Sequence, residues 1–126
     1  MLKRLLYIDD NYIDIAIIRT MQKRYKSFED VSYSMDAKGA INFIKENVSN
    51  NDALPDVIFL DLYMNEFTGW EFLDEFKIIF PLFNKTIEIY IISFSIRPKD
   101  LSRSKEYMCV KSYFTKPVSQ EAFQCI

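Results

Sequence analysis

The stretch Asp56–Met64, DVIFLDLYM, decides the fold. Its apolar run, Val57 to Leu60, is short, begins β-branched and contains an aromatic residue. Leu54-Pro55-Asp56 punctuates it in front, and a polar segment reaching Gly69 follows. A strand buried on both faces, as in the middle of a parallel sheet, reads this way. The run ends at Asp61. Open α/β sheets bind their ligands just beyond the C-terminal ends of such strands, so a carboxylate there is a candidate site residue.

Working outward, the chain alternates strands with helices. Lys3 to Ile8 is an apolar strand that runs into Asp9-Asp10-Asn11. Tyr12 to Lys26 reads as a helix whose aliphatic stripe, Ile13, Ile17 and Met21 with Ala16 and Ile18, is expected in the core. Arg19, Gln22, Lys23 and Arg24 occupy its other side. Phe28 to Ser34 alternates weakly, as an outer strand does. Asp36 caps a helix from Ala37 to about Val48, with Ala40, Ile41, Ile44 and Val48 inward. After Asp61, Thr68 and Glu71 form a capping-box pattern. The helix that follows carries Trp70, Leu73, Phe76, Lys77 and Phe80 on one face and stops at Pro81. Glu88–Ser93 (EIYIIS) is another strand. Lys99 to Tyr107 is a short charged helix, and Val110 to Thr115 is the last strand, leading to Lys116-Pro117. Ser119 caps a final helix of about two turns. Strand–helix repeated five times predicts a five-stranded parallel sheet in a doubly wound (βα)5, flavodoxin-like three-layer sandwich. Residues 1–126 read as a single domain, its last helix short enough to be truncated.

Composition limits the chemistry. The chain has 126 residues, 49% apolar and 27% charged, with a net charge of −2. That is one ordinary globular domain with no electrostatic grip on nucleic acid or anionic membrane. No apolar run approaches a membrane span. Cys109 and Cys125 lack metal-site spacing and read as reduced thiols in a cytoplasmic protein. There is no histidine, which excludes Ser-His-Asp and Cys-His catalysis and histidine-bound zinc. The only glycines are Gly39 and Gly69, so no glycine-rich loop is present to cradle a nucleotide.

Four strands end in polar side chains: Asp9 and Asp10, Asp61, Ser93 and Lys116. In a parallel sheet these ends share one edge. Two adjacent acids after a buried strand either bind a cation or form a polar turn in which one aspartate caps the next helix. Taken together, the acids suit a hard divalent cation such as Mg²⁺. A carboxylate can also accept a phosphoryl group as a nucleophile, with positive charge from a cation and Lys116 against the phosphoryl oxygens. Ser93 can donate to such an oxygen.

These residues resemble the receiver (CheY-like) domains of bacterial two-component response regulators. The resemblance covers about residues 3 to 126. It rests on Ile8-Asp9-Asp10, on Asp61-Leu62-Tyr63-Met64 with Gly69 eight residues after the acid, on Ser93, and on Tyr113-Phe114-Thr115-Lys116-Pro117. It implies that Asp61 accepts a phosphoryl group from a phosphohistidine on a sensor kinase or phosphotransfer protein. Asp10, Asp61 and the main-chain carbonyl of Tyr63 would ligate Mg²⁺, with Asp9 acting through water. Lys116 would pair with Asp61 and then with the phosphate, and Lys116–Pro117 would be cis. Ser93 and Tyr113 would form a switch that reshapes the surface around the fourth helix and fifth strand, where a downstream protein binds. The domain would catalyse only its own phosphoryl transfer and slow autodephosphorylation, as a monomer or weak dimer. Asn65 stands where the family usually has Pro, and Phe94 where a small residue follows the switch hydroxyl. Phe94 and Tyr63 are expected to narrow access to Asp61 and slow phosphoryl turnover.

Alternatives follow from the same residues. The domain could instead work unphosphorylated, as a constitutive protein-interaction module. Tyr113 could be a core aromatic and Lys116 a solvated lysine; Trp70 reads as core or a helix-face anchor. Phosphatases of the haloacid-dehalogenase type need a second acid two residues after the nucleophile, where this chain has Tyr63.

Overall fold

The structure is a computed structural model that describes residues 2–126. The side chain of Cys125 lies outside the described residues, and the reduced-thiol expectation for it falls there too. Five strands form one sheet: β1 (Arg4–Ile8), β2 (Asp30–Ser34), β3 (Val57–Leu60), β4 (Glu88–Ser93) and β5 (Val110–Thr115). Their order is β2-β1-β3-β4-β5, and each neighbouring pair is parallel. The helices are α1 (Tyr12–Tyr25), α2 (Ala37–Glu46), α3 (Gly69–Ile79), α4 (Pro98–Ser104) and α5 (Gln120–Cys125). This is the doubly wound, flavodoxin-like sandwich that the alternation of elements predicts.

β3 is central because both its faces are apolar. Ile58 and Leu60 pack with α2 and α3, alongside Ile41, Ile44, Leu73 and Phe76. Val57 and Phe59 face the opposite layer, with Ile15 and Ile18 of α1 and Phe123 of α5. Phe59 is the hub there: its ring meets Tyr7, Phe28, Tyr90 and Phe123 edge-on, at centroid separations of 6.1, 6.0, 6.1 and 6.5 Å. Edge-to-face contact suits the ring quadrupole and adds to simple burial.

The structure corrects three readings. The inward face of α1 is Asp14, Ile15 and Ile18, whereas Ile13 is 72% exposed and Ala16 is also exposed. Gln22 belongs to the inner side as well. Its amide brackets the Phe28 backbone, donating to the carbonyl at 2.7 Å and accepting from the N–H at 3.2 Å. Of the expected stripe, Ile18 is in the core and Met21 packs against it, while Ile13 and Ala16 face out because Asp14 turns inward to Lys116. Second, neither Asp9 nor Asp10 caps α1. Asn11 does, accepting from the N–H groups of Ile13 and Asp14. Third, Lys77 of α3 points to solvent while Phe72 is fully buried.

Candidate functional site

Strand register builds the site. Ile8 pairs with Leu60, Leu60 with Ile91, and Ser93 with Thr115. The residues just beyond therefore emerge at one edge. Backbone bonds continue the ladder by one residue, with the N–H of Asp9 donating to Ser34, that of Asp61 to Ile8 and that of Lys116 to Ser93, at 3.0, 3.0 and 2.8 Å. The Lys116–Pro117 peptide is cis. Gly69 lets α3 begin directly behind the loop that follows Asp61: a Cβ there would lie 2.3 Å from the Asp61 carbonyl oxygen.

Carboxylate oxygens of Asp9, Asp10 and Asp61 lie within 4.8 Å of one another. Asp9 is fully buried, and Asp61 is 6% exposed. Asp9 accepts from the Tyr7 hydroxyl at 2.6 Å, from Lys116 at 2.8 Å and from the Asn11 N–H at 3.0 Å. Asp10 accepts from the Asn65 N–H at 3.1 Å. Three converging, oxygen-only carboxylates are a donor set for a hard divalent cation. Burial pushes the Asp61 carboxyl up to about 7; the Asp9 charge adds to this, and Lys116 opposes it. The Tyr7 hydroxyl is raised by burial and by its bond to Asp9.

Lys116 is buried inside this cluster, not solvated. Its ammonium donates to Asp14 at 2.7 Å and to Asp9 at 2.8 Å, and stands 3.5 Å from Asp61. Burial opposes its charge, but the bonds to Asp14 and Asp9 and the Asp61 charge hold the ammonium above its ordinary range. The expected pairing with Asp61 is thus the longest of its three. Asp14 was missed by sequence reasoning. A signal did exist: it lies four residues before Ile18 on one helical face and one turn after Asp10.

Ser93 is buried and its hydroxyl accepts from the Ser95 N–H at 3.1 Å. Tyr113 is half-buried, packs against the α3-side core and donates to the Ser95 carbonyl at 2.8 Å. Both expected switch residues are therefore tied to Ser95. The Tyr63 side chain reaches across to α4, where its hydroxyl donates to both oxygens of Asp100 at 2.8 Å. Asp100 is buried and also accepts from Ser95 and Arg97. Arg97 lies over the Tyr63 ring, 5.1 Å from its centroid, and bonds its hydroxyl. This clasp of Tyr63, Ser95, Arg97 and Asp100 has no sequence signature, because it joins two loops to the first turn of α4. Phe94 is 65% exposed, with the Lys116 ammonium 5.1 Å from its ring centroid. A cleft of about 160 Å³ between these groups is lined by Asp10, Asp14, Asp61, Tyr63, Phe94 and Lys116, among others. A larger groove of about 580 Å³ runs beside β2 and α2, away from Asp61.

Trp70 sits in the core face of α3, stacked on Tyr107 at 6.0 Å, with the Arg103 guanidinium of α4 4.4 Å from its ring centroid.

An α/β sheet of this order, with acids, hydroxyl and amine gathered at its C-terminal edge, defines a class: the solved structures that this chain matches are response-regulator receiver domains. A two component response regulator from Cytophaga hutchinsonii superimposes with a TM-score of 0.85 at 27% identity, covering 98% of this chain and 92% of that one. The phosphorylated cyanobacterial phytochrome response regulator RcpA gives 0.79 at 28% identity, over 99% and 89% of the two chains. The probable methanogenesis regulatory protein FilR2 of Methanothrix harundinacea (strain 6Ac) is 26% identical over 117 residues, which are 93% of this chain and 74% of that protein. No family model matches the chain. No helix among the described residues is long and apolar enough to cross a membrane.

Proposed function

We propose that this receiver domain accepts a phosphoryl group on Asp61 from a phosphohistidine of a sensor kinase or phosphotransfer protein, in the cytoplasm. The observation that carries this reading is the Asp61 carboxylate itself. It is nearly buried beside two further acids, and its one side-chain partner among the described residues is the Lys116 ammonium, 3.5 Å from Oδ1, which leaves Oδ2 unengaged. An unengaged carboxylate oxygen is available as a nucleophile. It attacks phosphorus, the P–N bond to the donor imidazole breaks, and the imidazole leaves with the bonding pair. Asp10, Asp61 and the main-chain carbonyl of Tyr63 would hold Mg²⁺, and Asp9 would reach it through water. The cation supplies charge neutralisation for the transferring group. Lys116 provides a further positive group, and Ser93 a hydroxyl donor, for the phosphoryl oxygens.

The output follows from how the switch residues are tied. Ser93 and Tyr113 both bond Ser95. Movement of the Ser93 hydroxyl to a phosphoryl oxygen breaks its bond from the Ser95 N–H, and the bond from Tyr113 carries that change to β5 and α4. A downstream protein would bind there. The domain turns over no separate substrate; it runs its own phosphorylation and slow hydrolysis.

The test is intact mass after incubation with acetyl phosphate and Mg²⁺, on wild type and Asp61→Asn. A gain of one phosphoryl group that needs both the cation and Asp61 is expected. No gain, under conditions where Mg²⁺ binds, refutes acceptance from a small donor. The experiment is then repeated with a phosphohistidine protein, where a second failure would leave the constitutive interaction module as the function.

A further inference from the structure

We infer that Asp14 is a positioning residue of the acceptor site: it holds the Lys116 ammonium back from Asp61. The inference rests on the phosphoacceptor reading of Asp61 and deepens it.

The geometry is that of an ammonium with three N–H donors and three carboxylates around it. Asp14 and Asp9 take two donors at 2.7 and 2.8 Å, and Asp61 stands off at 3.5 Å. Asp9 has other ties, to the Tyr7 hydroxyl and the Asn11 N–H. The Asp14 side chain has only Lys116 as a hydrogen-bond partner among the described residues. Asp14 is 7% exposed and Lys116 8%, so both charges are largely withdrawn from water. A buried carboxylate is costly without a charged partner, and here the partner is Lys116. That requirement also turns α1 so that Asp14 faces inward while Ile13 faces solvent.

Two consequences follow. The Asp61 oxygens stay free of a strong donor before reaction, which preserves their nucleophilicity. The Lys116 ammonium stays 3.5 Å from Asp61, with one N–H uncommitted for the phosphoryl oxygens that arrive there. If Asp14 loses its acceptor, Lys116 swings about the Asp9 contact onto Asp61 and engages the nucleophile in an ion pair. Removal of an outer-shell partner of this type lowers activity by about 10–100-fold.

The experiment compares Asp14→Ala and Asp14→Asn in the whole protein with acetyl phosphate and Mg²⁺. Asp14→Ala is expected to lower the maximal phosphorylation rate about 10–100-fold, with the half-saturating donor concentration little changed. Asp14→Asn keeps a side-chain oxygen at the same place and is expected to recover most of the rate. A second readout is the lysine ammonium signal of Lys116 in a nitrogen–proton NMR spectrum, assigned by its loss in Lys116→Arg. It should shift in Asp14→Ala and, in that background, shift again when Asp61→Asn is added. An Asp14→Ala protein phosphorylated at the wild-type rate overturns the inference, as does an Asp14→Asn protein as slow as Asp14→Ala. If wild type itself takes no phosphoryl group, the phosphoacceptor reading fails, and the NMR arm decides on Asp14 alone: an unmoved Lys116 signal in Asp14→Ala overturns it.

Discussion

Replacing Asp61 by Asn should stabilise the protein at neutral pH while abolishing its phosphorylation. Burial, reinforced by the Asp9 charge, raises the Asp61 carboxyl to about 7 in the folded protein. In an unfolded chain it ionises near about 3.9. The folded form therefore holds this proton more tightly than the unfolded form. The stability that Asp61 contributes is fully present below about pH 4 and is lost as pH rises to about 7. About three pKa units at about 1.4 kcal/mol each give roughly 4 kcal/mol as an upper bound. The cleft admits water and the effective dielectric of such sites is high, so about 2 kcal/mol is the expected cost at pH 8. At pH 5 only about a third of that window has been crossed, and the cost falls in proportion.

The amide of the Asp61→Asn protein carries no charge and escapes this cost. In urea unfolding without divalent cations, followed by the fluorescence of Trp70, Asp61→Asn should exceed wild type by about 2 kcal/mol at pH 8 and by well under about 1 kcal/mol at pH 5. Adding Mg²⁺ at pH 8 should close most of the gap by stabilising wild type. Equal stabilities at pH 8, or a gap of the same size at both pH values, would show that Asp61 is not an electrostatically strained group.

The other predictions concern the groups around it. Gly69→Ala places a Cβ against the Asp61 carbonyl oxygen; it should cost about 1–3 kcal/mol in urea unfolding and slow phosphorylation by displacing the acceptor. Phe94→Ala uncovers Lys116 and widens the cleft, so both phosphorylation by acetyl phosphate and loss of the phosphoryl group should accelerate; an unchanged phospho-form lifetime would remove Phe94 from the account. Tyr63→Phe deletes the hydroxyl that bonds Asp100; the expected cost is about 1–3 kcal/mol, together with faster amide hydrogen exchange in the Ser93–Asp100 segment. Trp70 is the single tryptophan and is covered by Arg103 of α4, so its fluorescence should change on phosphorylation and should do so less in Arg103→Ala.

The sheet was legible because β3 and β4 are continuous apolar runs with one parity on each face, and both end where a polar residue appears. The convergence of Asp9, Asp10, Asp61, Ser93 and Lys116 follows from parallel strands in register, and needs no side-chain detail. Pairing inside the site was less legible. Sequence spacing places Lys116 beside Asp61 but cannot rank its partners, and the third partner is Asp14 on α1, whose inward face apolar spacing does not single out. Ile13, Ile17 and Met21 satisfy helical periodicity beside Ile18 as well as Ile15 does, so hydrophobicity alone leaves α1 free to rotate by a fraction of a turn. The Asp14–Lys116 ion pair resolves that ambiguity, and it joins residues 102 positions apart. Similarly, Tyr63 and Asp100 are 37 positions apart, one on a loop and one in the first turn of the short helix α4, where no periodic pattern announces a contact.

The arrangement explains how one addition at Asp61 can be felt at α4. Four carboxylates, Asp9, Asp10, Asp14 and Asp61, face one ammonium in and around the cleft. This excess of negative charge disfavours the empty folded state and favours a divalent cation. On the proposed reading, a phosphoryl group on Asp61 would add charge again and compete with Asp14 and Asp9 for the Lys116 donors. It would also draw the Ser93 hydroxyl. That hydroxyl now accepts the Ser95 N–H, while Ser95 bonds Tyr113 through its carbonyl and Asp100 through its side chain. A single residue thus holds the Ser93 hydroxyl, the β5 aromatic and the buried acid of α4. Displacing it would force a choice between two bonded arrangements, because Asp100 is buried and cannot lose its donors without cost. On the proposed reading, the charge imbalance at the sheet edge would drive the choice, and the bonds through Ser95 would carry it to the surface.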